Sequence, residues 1–347
     1  MESTEGRSRM AHVRQKDIAK ILKVSRITVS KALNDATDIS VAMKQKVKKL
    51  AGELGYIPHH HARTLHLNKT NTVGVVVPDV SNSFFSFTVH GIMDSAAQNG
   101  YQVILTVSRE DPAIERQNIL TLLSMRVDGL LIAISKDTVD REIFETIAKF
   151  KTPMVFFDRA IEGLGFSSVG IDDRLAAATV VEYAIQCGYK KIAHLAGSQK
   201  LAIGRDRCTG YLDMLKKYNI SVRNDWIIEG SFDRESGYLG FNKLYKPDDC
   251  PEVIFAANDG IAMGAYKAIK EKGMRVPDDF GVIALGHADF AEIVSPSLTV
   301  AASPPVIIGQ TAMDLLAKEI REHESRHPQK ILLKTQLIIN ESLLEKN

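Results

Sequence analysis

From Thr72 onward, short β-branched runs alternate with longer amphipathic stretches, and few folds accept that pattern. The runs fall at 73–77, 103–107, 130–134, 154–157, 192–195, 227–228, 253–256 and 282–285. Helical stretches such as 113–126, 138–149, 173–187, 205–218 and 259–272 separate most of them. Runs that are apolar throughout belong to strands buried on both faces. With helices between them, they predict parallel sheets covered by helices. The span implies two successive α/β units, each of about 100–130 residues. Ligands sit off the carboxyl ends of strands in open parallel sheets, so two such sheets facing each other enclose a cleft.

The chain before Thr72 has a different period. Residues 17–34, DIAKILKVSRITVSKALN, read as two short helices joined by a tight turn. Ile18, Ala19 and Leu22 give the first helix an apolar face, and Val24 closes that small core at the turn. Ser25 is a good N-cap, because its hydroxyl accepts from free backbone N–H groups of the next turn. Val29, Ala32 and Leu33 form the buried side of the second helix. Arg26, Ile27, Thr28, Ser30 and Lys31 are left pointing mainly outward. A helix with basic and hydrogen-bonding residues at its N-terminus, braced by a preceding helix, suits a major groove. The same spacing also describes an ordinary helical hairpin with a solvated charged face.

A loop at 34–38 leads to Ser40, the next N-cap, and to a third helix over 41–54. Met43, Val47, Leu50, Ala51 and Leu54 follow helical spacing, and Gly55 stands where a left-handed C-terminal residue belongs. Three short helices make a bundle that is marginal alone. Residues 1–12 read as a flexible tail. After Tyr56-Ile57-Pro58, the stretch 59–70, HHHARTLHLNKT, is a polar, basic linker too short to be a stable helix in water.

Charge divides the chain in the same place. Residues 1–70 hold 14 Lys and Arg against 6 Asp and Glu, a balance of +8, and the remainder carries −6. A basic head on an acidic body suggests that the head meets a polyanion. A helical pair with no amphipathic aromatic stripe fits nucleic acid better than a membrane surface. No apolar run approaches the roughly 20 residues that span a bilayer, and the N-terminus lacks the apolar region of a signal peptide. Cys187, Cys208 and Cys250 form no CxxC pair, which fits a reducing cytoplasm.

At this point the chain resembles the LacI/GalR family of bacterial transcription repressors over essentially its whole length from Val13. The words that carry the resemblance are DIAKILKVSRITVSKALN, VKKLAGELGYIP and ARTLHLNKTNTVGVVVPDVSNSFF, then VDGLLI, PMVFFDR and GYKKIAHLAG. FAANDGIAMGAYKAIKEKGMRVPDDFGVIALG and SPSLTVAAS follow in the same order and spacing. The resemblance implies an α/β protein in three parts. These are a three-helix helix-turn-helix headpiece at 13–58, a hinge helix at 59–70, and a two-subdomain core at 71–347 like a periplasmic sugar-binding protein. The N-subdomain would take about 71–170 and 304–332, and the C-subdomain about 171–303 and 333–347.

The same resemblance implies site residues. Arg26, Ile27 and Lys31 match positions that read base edges, while Thr28, Ser30 and Asn34 match positions that hold phosphates. In the hinge, Leu65 matches a wedge inserted into the minor groove with its symmetry mate, and Arg63 and His66 would lie against the groove wall. In the core, Phe84, Phe85, Asp158, Arg207, Phe232 and Asn258 match effector-facing positions, and Arg159 sits beside Asp158. The implied partners are an operator in double-stranded DNA, a sugar-like small-molecule effector and a second copy of the chain.

The sequence also departs from the family. Lys23 stands where the headpiece turn usually has glycine. Arg14 and Gln15 replace a small hydroxyl and an apolar residue. The family's G-[FY]-D-D is Gly286-His287-Ala288-Asp289 here, so a ligand-gripping carboxylate is missing at Ala288. That leaves a nucleoside, a phosphorylated sugar or no small-molecule effector at all open beside a plain sugar.

Each position has a plainer reading. Phe84, Phe85 and Phe232 also suit a core, Asp158-Arg159 a structural ion pair, and Asn258-Asp259 a helix cap. Successive histidines at His59-His60-His61 point in different directions on a helix, which disfavours a metal site. No P-loop, GxGxxG after the first strand, GxSxG or HExxH occurs, so no catalytic residue, metal or cofactor is expected. No leucine heptad follows the last strand-like runs, so a dimer is expected rather than a tetramer.

Overall fold

A computed structural model of the chain describes residues 13–56, 69–322 and 327–346. The expected tail at 1–12, Arg63, Leu65, His66 and the three consecutive histidines lie outside the described residues. The chain divides into two compact units, 1–70 and 71–347.

In the first unit, α1 (Gln15–Leu22), α2 (Arg26–Leu33) and α3 (Val41–Glu53) form the bundle. Ile18, Ala19, Val29, Ala32, Val47, Ala51 and Tyr56 make its core. Both expected caps are present. Ser25 Oγ accepts from Thr28 N at 3.0 Å, and Ser40 Oγ from Met43 N at 3.3 Å. Lys23 keeps the left-handed turn (φ 51°) that glycine would adopt without strain, and Gly55 closes α3 at φ 63°.

The second unit holds two six-stranded sheets. One contains β1 (Thr72–Val77), β2 (Gln102–Val107), β3 (Gly129–Ile132), β4 (Met154–Phe157), β5 (Ser167–Ile171) and β11 (Lys330–Leu333), in the order β11-β5-β4-β3-β1-β2. The other contains β6 (Ile192–Ala196), β7 (Ile227–Glu229), β8 (Val253–Ala256), β9 (Gly281–Gly286), β10 (Thr299–Ala302) and β12 (Gln336–Ile338), in the order β12-β10-β9-β8-β6-β7. Pairing is parallel except where β12 runs against β10. The chain therefore crosses between the sheets three times: after Ile171, after Ala302 and after Leu333.

Helices cover the first sheet through α4 (Ser83–Gln98), α5 (Pro112–Ser124), α6 (Glu142–Lys149) and α12 (Pro305–Arg321). The second is covered by α7 (Asp173–Gln186), α8 (Ala202–Lys217), α9 (Arg234–Leu244) and α10 (Asp259–Glu271), and the short α11 (Ala288–Ile293) follows β9. Helices α4 and α12 pack backbone to backbone. A Cβ added at Gly91 would lie 2.1 Å from Val306 O, and one at Gly309 2.0 Å from Thr88 O. Among the described residues no helix is long and apolar enough to cross a membrane.

Candidate functional site

The first candidate surface is α2. Its start is set by the Ser25 cap, which leaves Arg26 and Ile27 on the outer face. Ile27 is 69% exposed, more than an isoleucine bearing on the bundle would be. The Thr28 hydroxyl lies 2.9 Å from Ser25 Oγ and belongs to the cap. Lys31 is not a free cation, because its ammonium is paired with Asp38 in the following loop. That pairing holds the Asp38 carboxyl below its usual range. Asn34 is the C-cap and is exposed, and Lys48 pairs with Asp35 at 2.7 Å. Of the outward residues of α2, Arg26 and Ile27 are thus the most freely presented.

The second candidate site lies between the two sheets of the core. Phe84 and Phe85 come from the first turn of α4, whose N-cap Asn82 accepts from Phe84 N at 3.0 Å. Asp158 and Arg159 come from the end of β4. Asp158 is left-handed (φ 58°), and this turn sends the Arg159 side chain inward, where it is 3% exposed. Arg207 comes from α8, Phe232 from the segment before α9, and Asn258 from the start of α10. All six expected effector residues line one cleft, with Arg159, Asp259, His287 and Ser303 beside them. Phe232 packs against Gly197, where a Cβ would meet its ring at 2.2 Å.

The plainer readings are resolved residue by residue. Phe85 and Phe232 are buried and Phe84 is half-buried, so the aromatics serve core and cleft together. Asn258 caps α10: its Oδ1 accepts from Ile261 N at 2.9 Å and its Nδ2 donates to Phe232 O at 3.0 Å. Asp158 and Arg159 do not form a close ion pair, because Arg159 Nε is 3.8 Å from Asp158. The partner of Arg159 is Glu110, at 2.8 and 3.1 Å from Nη1. Arg109 and Glu110 are both left-handed (φ 55° and 58°), and this places Glu110 under the cleft. Sequence spacing gave no signal for that partnership, which joins residues 49 positions apart.

The polar groups divide into paired and unpaired. Arg207 donates to Asp173 at 2.7 Å and to Ala257 O at 2.8 Å. Burial pushes the Asp173 carboxyl up to about 6 against the pull of Arg207. Asp158 and Asp259 are also raised by burial, with Arg159 and Arg207 opposing at Asp158. Glu110 and Asp173 take the hydrogen bonds of the two arginines. Asp158 stands 3.8 Å from Arg159 Nε and Asp259 Oδ1 accepts from Gly260 N at 2.8 Å, so these two surplus carboxylates have no arginine hydrogen bond. The expected aspartate at 288 is Ala288, at the start of α11. His287 stacks instead on Phe87 of α4, with centroids 4.5 Å apart, and its buried Nδ1 has no hydrogen-bond partner. The free space among these side chains is about 50 Å³. Asp158, Ile171 and Ile203 also border a larger chamber of about 330 Å³.

Comparison with known proteins matches both units. Residues 15–59 match the model of bacterial regulatory proteins of the lacI family, and residues 70–341 match that of periplasmic binding proteins and the sugar-binding domain of the LacI family. The ribose operon repressor of Haemophilus influenzae is 29% identical over 328 residues, covering 94% of this chain and 98% of that protein. The transcriptional repressor CytR of Escherichia coli K12 is 32% identical over 306 residues, covering 88% and 89%. Among solved structures, the lac repressor dimer bound to operator and the anti-inducer ONPF superimposes with a TM-score of 0.82. It is 25% identical, with 96% of this chain and 100% of that one covered. The regulator CelR in complex with cellobiose gives a TM-score of 0.70 at 26% identity, covering 95% and 100%. The chain therefore belongs to the LacI family of bacterial regulatory proteins, and it is a DNA-binding transcription regulator rather than an enzyme.

Proposed function

We propose that this protein is a cytoplasmic repressor that binds a near-palindromic operator as a dimer and responds to an uncharged, hydroxyl-rich effector of the sugar type. The headpiece at 13–58 reads the half-site. Arg26 donates to a guanine edge, and Ile27 makes an apolar contact such as one with a thymine methyl. Lys31 adds a second donor once it leaves Asp38. Thr28, Ser30 and Asn34 face phosphates and set register. In the hinge at 59–70, Leu65 pries at the central base step with its symmetry mate, flanked by Arg63 and His66.

The observation that carries the effector reading is that six side chains from both halves of the core face one cleft. Phe84, Phe85 and Asp158 come from one half, and Arg207, Phe232 and Asn258 from the other. The two surplus carboxylates support a ligand that donates hydrogen bonds. They disfavour a phosphate, whose charge would meet Asp158 and Asp259 with no unpaired arginine to offset it. Ribose and cellobiose in the names of matched proteins agree with that chemistry. Effector would change the angle between the two halves and so the spacing of the hinges.

Calorimetric titration of the full-length protein with D-ribose, cytidine and ribose 5-phosphate tests this reading. An uncharged ligand is expected to bind at least tenfold more tightly than the phosphate. Tighter binding of ribose 5-phosphate would overturn the charge argument.

A further inference from the structure

The loop after α2 carries two carboxylates, and both meet lysines. Ala36 N donates to Lys31 O at 3.0 Å and Asp35 is left-handed (φ 55°), so the chain folds back at the end of α2. This return brings the Asp38 carboxylate onto the Lys31 ammonium. Asp35 meets Lys48 of α3 at 2.7 and 2.8 Å, and its carbonyl accepts from Lys44 at 3.1 Å. Helix α2 has two cations, Arg26 and Lys31. Arg26 makes no ion pair among the described residues, whereas Lys31 is held by Asp38.

A carboxylate at this place opposes DNA binding in general. A basic head gains affinity by neutralising phosphates whatever the sequence. That gain lowers the ratio of operator binding to non-specific binding, which decides whether an operator is found among competing sites.

We propose that Asp38 is a specificity-determining residue: it withholds the Lys31 ammonium from backbone phosphates and yields it at a guanine edge. This rests on the reading of Lys31 as a base-edge contact.

The chemistry of the two exchanges differs. The ammonium carries three donors, so guanine O6 and N7 can take two of them before the third leaves Asp38. A phosphate in the same place brings an anion up to the carboxylate, and the like charges repel. The pair is not needed to build the headpiece. Both side chains are half-exposed, and exposed pairs add little to stability. The loop is held without it, by the Ala36 amide and by Asp35 with Lys48 and Lys44. Asp35 lowers the positive charge of the headpiece by the same amount, but its partner Lys48 stands on α3 and not on the reading helix.

Fluorescence anisotropy compares full-length wild type, Asp38→Asn, Asp35→Asn and Lys31→Ala on two duplexes. One is selected from random DNA by the wild type, and the other is a shuffled sequence of the same composition. Asp38→Asn is expected to bind the shuffled duplex about tenfold more tightly and the selected duplex by less than about threefold, so selectivity falls. On the shuffled duplex, the slope of log affinity against log salt is expected to steepen by about 0.9 for each Lys31 that gains a phosphate. Asp35→Asn changes the charge equally and is expected to raise both affinities alike. Adding Lys31→Ala to Asp38→Asn is expected to return the shuffled affinity to the wild-type level. Equal gains on both duplexes in Asp38→Asn would make Asp38 a general brake and overturn the proposal. A loss confined to the selected duplex would overturn it too, by making Asp38 a base contact or a support for Lys31. Lys31→Ala alone separates these failures from that of the underlying reading. Full affinity of that variant for the selected duplex, or no duplex selected by the wild type, ends the base-edge reading and the proposal with it.

Discussion

Arg207 sets both its Nε and its Nη2 2.7 Å from Oδ1 of Asp173, and both side chains are more than nine-tenths buried. Removing one partner of such a pair strands a buried charge, at a cost of about 3–5 kcal/mol, whereas removing both is often neutral. Arg207→Ala is therefore expected to lower stability by about 3 kcal/mol and to abolish the effector response. Adding Asp173→Ala is expected to restore most of the stability but none of the response. Urea unfolding and operator binding with and without effector measure the two effects. A double variant that still responds would make Arg207 structural only.

The Lys31–Asp38 pair leads to a prediction about DNA. Free Asp38→Ala protein has one more unpaired cation on each reading helix. Its operator affinity is expected to rise, and the slope of log affinity against log salt to steepen by about 0.9 for each phosphate newly neutralised. Fluorescence anisotropy over a salt series checks this. An unchanged slope would show that releasing Lys31 from Asp38 adds no cation to the DNA contact.

His194 governs part of the acid stability. It is fully buried in β6, and its Nδ1 sits 3.0 Å from Phe255 O. A carbonyl only accepts, so Nδ1 carries a proton in this contact. Its Nε2 is buried without a partner. Burial holds the ring down to about 4 against a reference of 6.5. The unfolded chain therefore takes up the proton first, and stability contributed above pH 6.5 is lost as pH falls toward 4. The loss amounts to about 3 kcal/mol by pH 4. The raised carboxyls Asp158, Asp173 and Asp259 act in the opposite sense over part of this window, but equally in a matched variant. Wild type minus His194→Gln, followed by urea unfolding from pH 7.5 to 4, isolates the histidine term. Parallel pH profiles would contradict it.

Much of this architecture was legible because apolar spacing reports directly on burial. Ile18, Ala19, Val29 and Ala32 marked the headpiece core, and the bulky β-branched runs marked most strands. The strands β5, SSVGI, and β10, TVAA, were not picked out by that pattern. Their β-branched residues Val169, Ile171 and Val300 stand singly among Ser, Gly, Thr and Ala, so no continuous bulky apolar run forms. The cleft residues were legible through the resemblance and not through spacing, since the six come from five separate segments. Glu110 escaped both readings, because its place depends on two consecutive left-handed residues that no glycine announces. Arg159 was visible beside Asp158, but its position between Phe85 and Phe232 joins residues far apart in the sequence.

The exposed face of α2 is expected to read a specific, two-fold operator. Selection of preferred sites from random duplex DNA by the full-length protein at about physiological salt, where non-specific binding is already weak, tests it most directly. The expected product is a near-palindromic site with a G·C pair and an adjacent A·T pair in each half, opposite Arg26 and Ile27. Enrichment of no sequence, with or without a cell metabolite extract, would contradict it.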